Sequence, residues 1–226
     1  MVAEMKYNSH LLWRMLFLIS AACLMTNSIE VGSADCKNAD LSDLTHQVER
    51  FSQCFLEMLP HRNRTEVNAL VWSLQQVLDR LREVQGKACK AFMPENCSAP
   101  EAPQNGGLVC VSIDSVHYCK PMCNQGYDFA FLRRSRVYEK CGASTGYSWT
   151  TQLVGGNRLA DCLSSPVAVS GVKSAYFPSH MSCQQTIANA TAEREQIEIF
   201  HKELAEAEPD VSQKLEKAFD CVLCGN

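Results

Sequence analysis

Thirteen cysteines in 226 residues, the first of them inside an apolar leader, decide what this chain can fold into. Lys6 and Arg14 precede an apolar run at 15–25, which small and polar residues follow. Spanning a bilayer takes about 20 apolar residues, so this shorter run fits a secretory signal peptide, assigned to residues 1–34. Cleavage after Ala34, with Gly32 three residues back, and cleavage after Ser28 both satisfy the small-residue rule. Either cut removes Cys23 and leaves an even number of cysteines in an oxidising compartment. That combination implies disulfides rather than metal ligands. No second long apolar run occurs, and the stretch Phe219-Asp-Cys-Val-Leu-Cys-Gly-Asn226 is no lipid-anchor tail. The expected product is secreted, extracellular and without a membrane span.

Three glycosylation acceptors suit that compartment: Asn63-Arg-Thr65, Asn96-Cys-Ser98 and Asn189-Ala-Thr191. The first and third lie in polar stretches and are expected to be exposed and used. The second has a cysteine at its centre, and a bridge there closes the site. The net charge of -4 gives no reason to expect nucleic acid as a partner. Acidity is concentrated in residues 163–226.

Cysteine density, periodicity and Gly/Pro content change near residues 94 and 163, dividing the mature chain into three blocks. In the first, 35–93, Leu41, Leu44, Val48, Phe51, Phe55 and Met58 fall at alternating steps of three and four, one stripe of a helix. Asp40 offers a start and Pro60 a stop. The stripe resumes at Val67, Leu70, Leu74, Val77, Leu81 and Val84, after a turn in which Asn63 and Glu66 have capping-box spacing. Two helices joined by so short a loop are expected to pack as an antiparallel hairpin. A coiled coil with another chain is the other use for such seams, which leaves the oligomeric state open.

The third block opens with a loop or linker at 163–182. It continues as a helical segment, 183–226, with Ile197, Phe200, Leu204 and Ala207 on one face. Pro209 interrupts, and Asp210 with Gln213 reads as a capping box starting a last helix through Val211, Leu215, Ala218 and Val222. The first and third blocks each hold three mature cysteines: Cys36, Cys54 and Cys89, and Cys183, Cys221 and Cys224. Odd numbers on both sides require at least one bridge between the blocks if every cysteine pairs within the chain. A hairpin brings Cys36 beside Cys89, the expected local pair. Cys54, about 27 Å further along a helix, is then expected to bridge to Cys221 or Cys224, with the other joined to Cys183.

The middle block, 97–162, reads Cys97-Ser-Ala-Pro-Glu-Ala-Pro-Gln-Asn-Gly106, then Cys110, Cys119, Cys123-Asn-Gln-Gly-Tyr127, Cys141, Trp149 and Cys162. Prolines, an Asn-Gly turn and six cysteines in so short a stretch indicate a small β-rich module held by bridges. It resembles a sushi (complement control) module in its six-cysteine form, similar to those of selectins. The resemblance covers this block alone. It implies first-to-third and second-to-fourth pairing, hence Cys97 with Cys141 and Cys123 with Cys162, and makes Cys110 with Cys119 a local staple. The fold expected for the whole is α+β: a disulfide-stapled helical bundle of the N- and C-terminal segments with the small all-β module inserted.

No zinc helix, nucleophile elbow or phosphate loop occurs, and the histidines are scattered, so neither an enzyme nor a cofactor is expected. Cys221-Val-Leu-Cys224 has the spacing of a redox dithiol but closes an expected helix rather than opening one, where a dipole would lower the thiol pKa. A basic run, Arg133, Arg134 and Arg136 with Lys140, lies beside Phe129, Phe131 and Tyr138. It suits a glycosaminoglycan or another acidic partner, or else a loop whose charge neighbouring acids offset. The expected function is extracellular protein binding or adhesion. A cytokine-like ligand using the bundle is the alternative, and a thiol-disulfide oxidoreductase a third, more distant one.

Overall fold

The protein is seen in a computed structural model that describes residues 40–58, 62–89, 92, 96–151 and 156–225, without the side chains at 56, 86 and 88. The expected signal peptide and Cys36 lie outside the described residues. The chain divides into two compact units, Met1–Asn68 and Ala69–Asn226.

Helix α1, Leu41–Met58, begins where Asp40 Oδ1 accepts the amide of Ser42 at 2.9 Å. Helix α2, Arg64–Ala88, crosses the boundary of the units and begins where Asn63 Oδ1 accepts the amide of Glu66 at 2.8 Å. Both starts answer a local need, since the first amides of a helix have no partner within it. The apolar stripes are exposed on each helix: Leu44, Val48 and Phe51 on α1, and Leu74, Val77, Leu81 and Val84 on α2.

The second unit is built on a four-stranded antiparallel sheet of order β4-β2-β1-β6. Its strands are β1, Gly106–Ile113; β2, Val116–Cys123; β4, Glu139–Cys141; and β6, Phe219–Cys224. A separate pair joins β3, Tyr127–Phe129, to β5, Cys162–Ser164. β1 and β2 meet through Asp114 and Ser115, both at positive φ (48° and 65°), the backbone that a two-residue hairpin with the right strand twist demands.

Alternation along β1 divides the interior into two layers. Val109, Val111 and Ile113 point to one face with Tyr118, Met122 and Val222, and there they meet Phe177, Phe200, Leu204 and Val211. Phe200 and Leu204 belong to α4, Ala190–Ala207, which follows the short α3, Cys183–Ile187. Leu108 and Cys110 point to the opposite face with Cys119, Cys141 and Cys221, under Phe92, Cys97, Trp149 and Leu159. The apolar face of α4 therefore covers the sheet, and together helices and antiparallel strands make the fold α+β.

The C-terminal block departs from its expected helix. Residues Pro209–Lys217 form a 3-10 helix with no side-chain cap from Asp210, and Phe219–Cys224 is a strand. The physical reason is non-local: β6 pairs with β1 over six positions, from Gly107 opposite Cys224 to Ser112 opposite Phe219. Without it, β1 would leave a row of buried amides and carbonyls unpaired, a larger cost than local helix propensity recovers. The stretch 163–182 has little regular structure yet is packed, with Ala175 and Phe177 buried.

Five cysteine pairs stand at disulfide distance: Cys89–Cys221, Cys97–Cys141, Cys110–Cys119, Cys123–Cys162 and Cys183–Cys224. Two expectations are corrected. Cys89 pairs with Cys221 instead of Cys36, because the end of α2 meets a strand of the sheet. Cys54 bridges to neither Cys221 nor Cys224, both of which are occupied; it is exposed and has no partner among the described residues. Cys183 has the partner at Cys224 that was one of its two options.

Candidate functional site

Strand geometry explains why Cys221 and Cys224 do not form a dithiol. Three residues apart on β6, they face opposite sides of the sheet, Cys221 towards Cys89 and Cys224 towards Cys183. Cys110 and Cys119 are directly opposed on β1 and β2, with Cα atoms 4.1 Å apart, and Cys221 stands opposite Cys110 on the other side. A row of sulfur thus runs across three strands. Over it, Trp149 donates from Nε1 to the carbonyl of Ser98 at 2.8 Å, fastening the segment that carries Cys97.

The basic run is dispersed by its neighbours. Arg133 is buried, with Nη2 2.8 Å from Oε1 of the fully buried Glu139; the two face each other as an ion pair without the alignment of a hydrogen bond. Its Nη1 donates to the carbonyl of Leu159 at 3.3 Å, and the guanidinium lies 5.7 Å from the ring centroid of Phe129. Arg136 reaches the other carboxylate oxygen of Glu139 at 2.8 Å, where Thr150 also donates. Lys140 donates to Glu208 at 2.8 Å, and that hydrogen bond holds the Glu208 carboxyl below its ordinary range. Arg134 is exposed but uses Nε on the carbonyl of Val169. Neighbouring acids and carbonyls thus occupy the run.

Asp128 organises the adjoining end of the unit. Its carboxylate accepts the amides of Phe129, Val169 and Ser170, the hydroxyl of Ser170 at 2.8 Å, and the phenol of Tyr176 at 2.5 Å. Burial alone would raise its pKa, but these donors, led by Tyr176, bring it down to about 2. Burial and the same bond push Tyr176 up to about 12. The carboxylate therefore joins β3 to residues 169–176, and beside that joint Phe131, Leu132, Leu163, Val167 and Val169 are exposed. No periodicity marks these five in the sequence. For Leu163, Val167 and Val169 the only signal was apolar side chains in a stretch otherwise rich in small residues, while Phe131 stood out only as a neighbour of the basic run.

Other charges are equally structural. Lys120, 1% exposed on the helix-covered face of the sheet, donates to Glu203 of α4 at 2.5 Å, and Ser174 binds the same carboxylate. His117 is buried edge-on to Phe92 with centroids 5.5 Å apart, and burial lowers its pKa. His201 meets Asp220 at 2.7 Å and His46 meets Glu49 at 3.5 Å; His61 lies outside the described residues. Among the described residues no three His, Cys, Asp or Glu side chains are grouped to hold a metal ion, and no helix is long and apolar enough to cross a membrane.

The acceptor asparagines Asn63, Asn96 and Asn189 are all exposed. Asn63 opens α2 and Asn189 opens α4, while Asn96 precedes the bridged and buried Cys97. Compared with protein-family models, curated proteins and solved structures, the chain finds no match.

Proposed function

We propose that the chain is a secreted glycoprotein whose residues 97–162 form a sushi-type module, and that it acts by binding a protein outside the cell. Three features support the module: the pairs Cys97–Cys141, Cys110–Cys119 and Cys123–Cys162, the buried Trp149, and the short antiparallel strands. The bridges suit an oxidising compartment. The observation that carries the binding role is the exposed apolar set Phe131, Leu132, Leu163, Val167 and Val169 on a frame held by Asp128 and the Cys123–Cys162 bridge. Large apolar side chains kept at the surface of a rigid, cross-linked unit are suited to a partner.

The alternative, a ligand that engages a receptor through its helices, is favoured by the exposed stripe of α2. One experiment separates the two readings. The fluorescently labelled protein is titrated onto intact cells beside two variants, Phe131→Glu/Leu132→Glu and Val77→Glu/Leu81→Glu. Saturable binding that weakens at least tenfold in the first pair alone supports the module. Loss in the second pair alone supports the helices. Absence of saturable binding to any of a broad panel of cell types overturns both.

A further inference from the structure

The three acceptor asparagines differ in what their amides already do. Asn189 Oδ1 accepts the backbone amides of Thr191 and Ala192, both at 3.1 Å, which satisfies two orphan donors of α4. Asn63 Oδ1 accepts the amide of Glu66 at 2.8 Å in the same role for α2. In both, the oxygen faces the helix and the nitrogen is turned away from it. Neither Nδ2 has a hydrogen-bond partner among the described residues, and both asparagines are exposed. The contrast is Asn157, whose Nδ2 is tied to the carbonyl of Ala99 at 3.1 Å. The hydroxyl-bearing residues Thr65 and Thr191 sit in the first turn of each helix, two positions after the asparagine.

We infer that Asn63 and Asn189 are glycan acceptors whose amides are divided in function, the oxygen capping a helix and the nitrogen carrying the sugar, and that the Cys97–Cys141 bridge keeps Asn96 bare. This rests on the reading that the chain is secreted. The donor is a polyprenyl-diphosphate-linked oligosaccharide. Nδ2 attacks the anomeric carbon, the bond from that carbon to the diphosphate oxygen breaks, the lipid diphosphate leaves, and one Nδ2 proton passes to a base of the transferase. The product amide keeps its carbonyl oxygen as acceptor, so the cap survives conjugation. At Asn96 the neighbouring residues are held instead: Cys97 is buried in its bridge and the Ser98 carbonyl is fastened to Trp149. A segment so tied cannot be drawn into a transferase cleft.

The test is expression of the full chain in a secretory host, followed by peptide N-glycosidase, which converts each occupied asparagine to aspartate, and peptide mass mapping. Conversion is expected at 63 and 189 and not at 96. Thr65→Ala and Thr191→Ala each abolish one conversion while leaving the melting midpoint of the deglycosylated protein within about a degree. Asn189→Ala abolishes conversion and also lowers the midpoint by several degrees, because it takes away the cap. Cys141→Ser brings conversion at 96. Conversion at 96 in the fully bridged protein, or a midpoint in Thr191→Ala as low as in Asn189→Ala, overturns the inference. The same chain behind an unrelated secretory leader in place of 1–34 separates the two readings. Sites converted only with that leader sink the secretion reading and leave the acceptors in place; sites converted with neither sink the acceptors.

Discussion

At the scale of single residues, the polar groups that matter are those buried with more than one partner. Asp128 is the clearest, a carboxylate receiving five donors from β3 and residues 169–176. Its folded pKa, about 2, lies below that of a free aspartate. Its contribution to stability is therefore complete above about pH 4 and lost as the pH falls from there towards 2. Asp128→Asn keeps the shape but loses the charge and one acceptor. We expect it to cost about 2 to 3 kcal/mol at neutral pH and to flatten the acid limb of the melting curve between pH 4 and 2. Thermal melts across that range decide it; an acid limb as steep as in the parent would remove Asp128 from this role.

Cys54 lies at the opposite extreme, exposed and without a partner among the described residues, while ten other described cysteines are paired. Maleimide added to the native protein without denaturant or reductant should label the peptide carrying Cys54 within minutes and leave those ten untouched. A Cys54 peptide that stays unlabelled until reductant is added would reveal a bridge instead.

Among elements, β6 departs most from what its residues suggest alone. Val211, Leu215, Ala218 and Val222 are spaced for a helix, and the last of them is used in a strand because β1 needs a neighbour on that side. Val222, buried opposite Val109, is the residue on which this pairing turns. Val222→Asp should cost about 3 kcal/mol or more by leaving a charge in the apolar layer, whereas the neighbouring change Phe219→Ser, at an exposed position, should shift the melting midpoint little. Chemical unfolding of both variants checks the pair, and equal losses would show that the strand is not seated as described.

What was legible in the sequence follows from range. The starts of α1 and α2 could be read because Asp40 and Asn63 act on amides two or three residues away. The cap of α4 was equally local, yet Asn189 had been read only as a glycan acceptor. The apolar faces of α1, α2 and α4 were legible, but not what would cover them; α4 lies on the sheet. Glu203 beneath Lys120 was illegible, since partners 83 residues apart leave no periodic trace, whereas Glu139, three residues from Arg136, was in plain view and only its burial was not. For the basic run one acid, Glu139, is a sequence neighbour, while the other, Glu208, arrives from elsewhere in the fold. Cys221 reaches Cys89 in the same way.

At the scale of the whole molecule, the covalent framework places a prediction on the long stretch 163–182. A single cut there leaves two fragments, and of the five bridges only Cys89–Cys221 spans it. The C-terminal fragment should stay attached under non-reducing conditions in the parent protein and come away in denaturant, without reductant, from the double variant Cys89→Ser/Cys221→Ser. Release from the parent would mean that the pairing is different. The same variant should be less stable by about 3 to 5 kcal/mol, the scale expected for a closure over so long a loop.

That closure also sets an order on biosynthesis. Of the six strands among the described residues, β6 is the last to leave the ribosome, and it pairs the side of β1 away from β2. Until it arrives, the apolar residues of β1 and the thiol of Cys89 wait for partners, Cys221 being 132 residues further along the chain. Meanwhile Cys54 and the six cysteines of the middle block pass the same waiting thiol, each able to form a wrong bridge by exchange. Oxidative folding of this chain therefore has to keep one thiol in reserve until residue 221 is available, and that interval is where exchange would make wrong bridges.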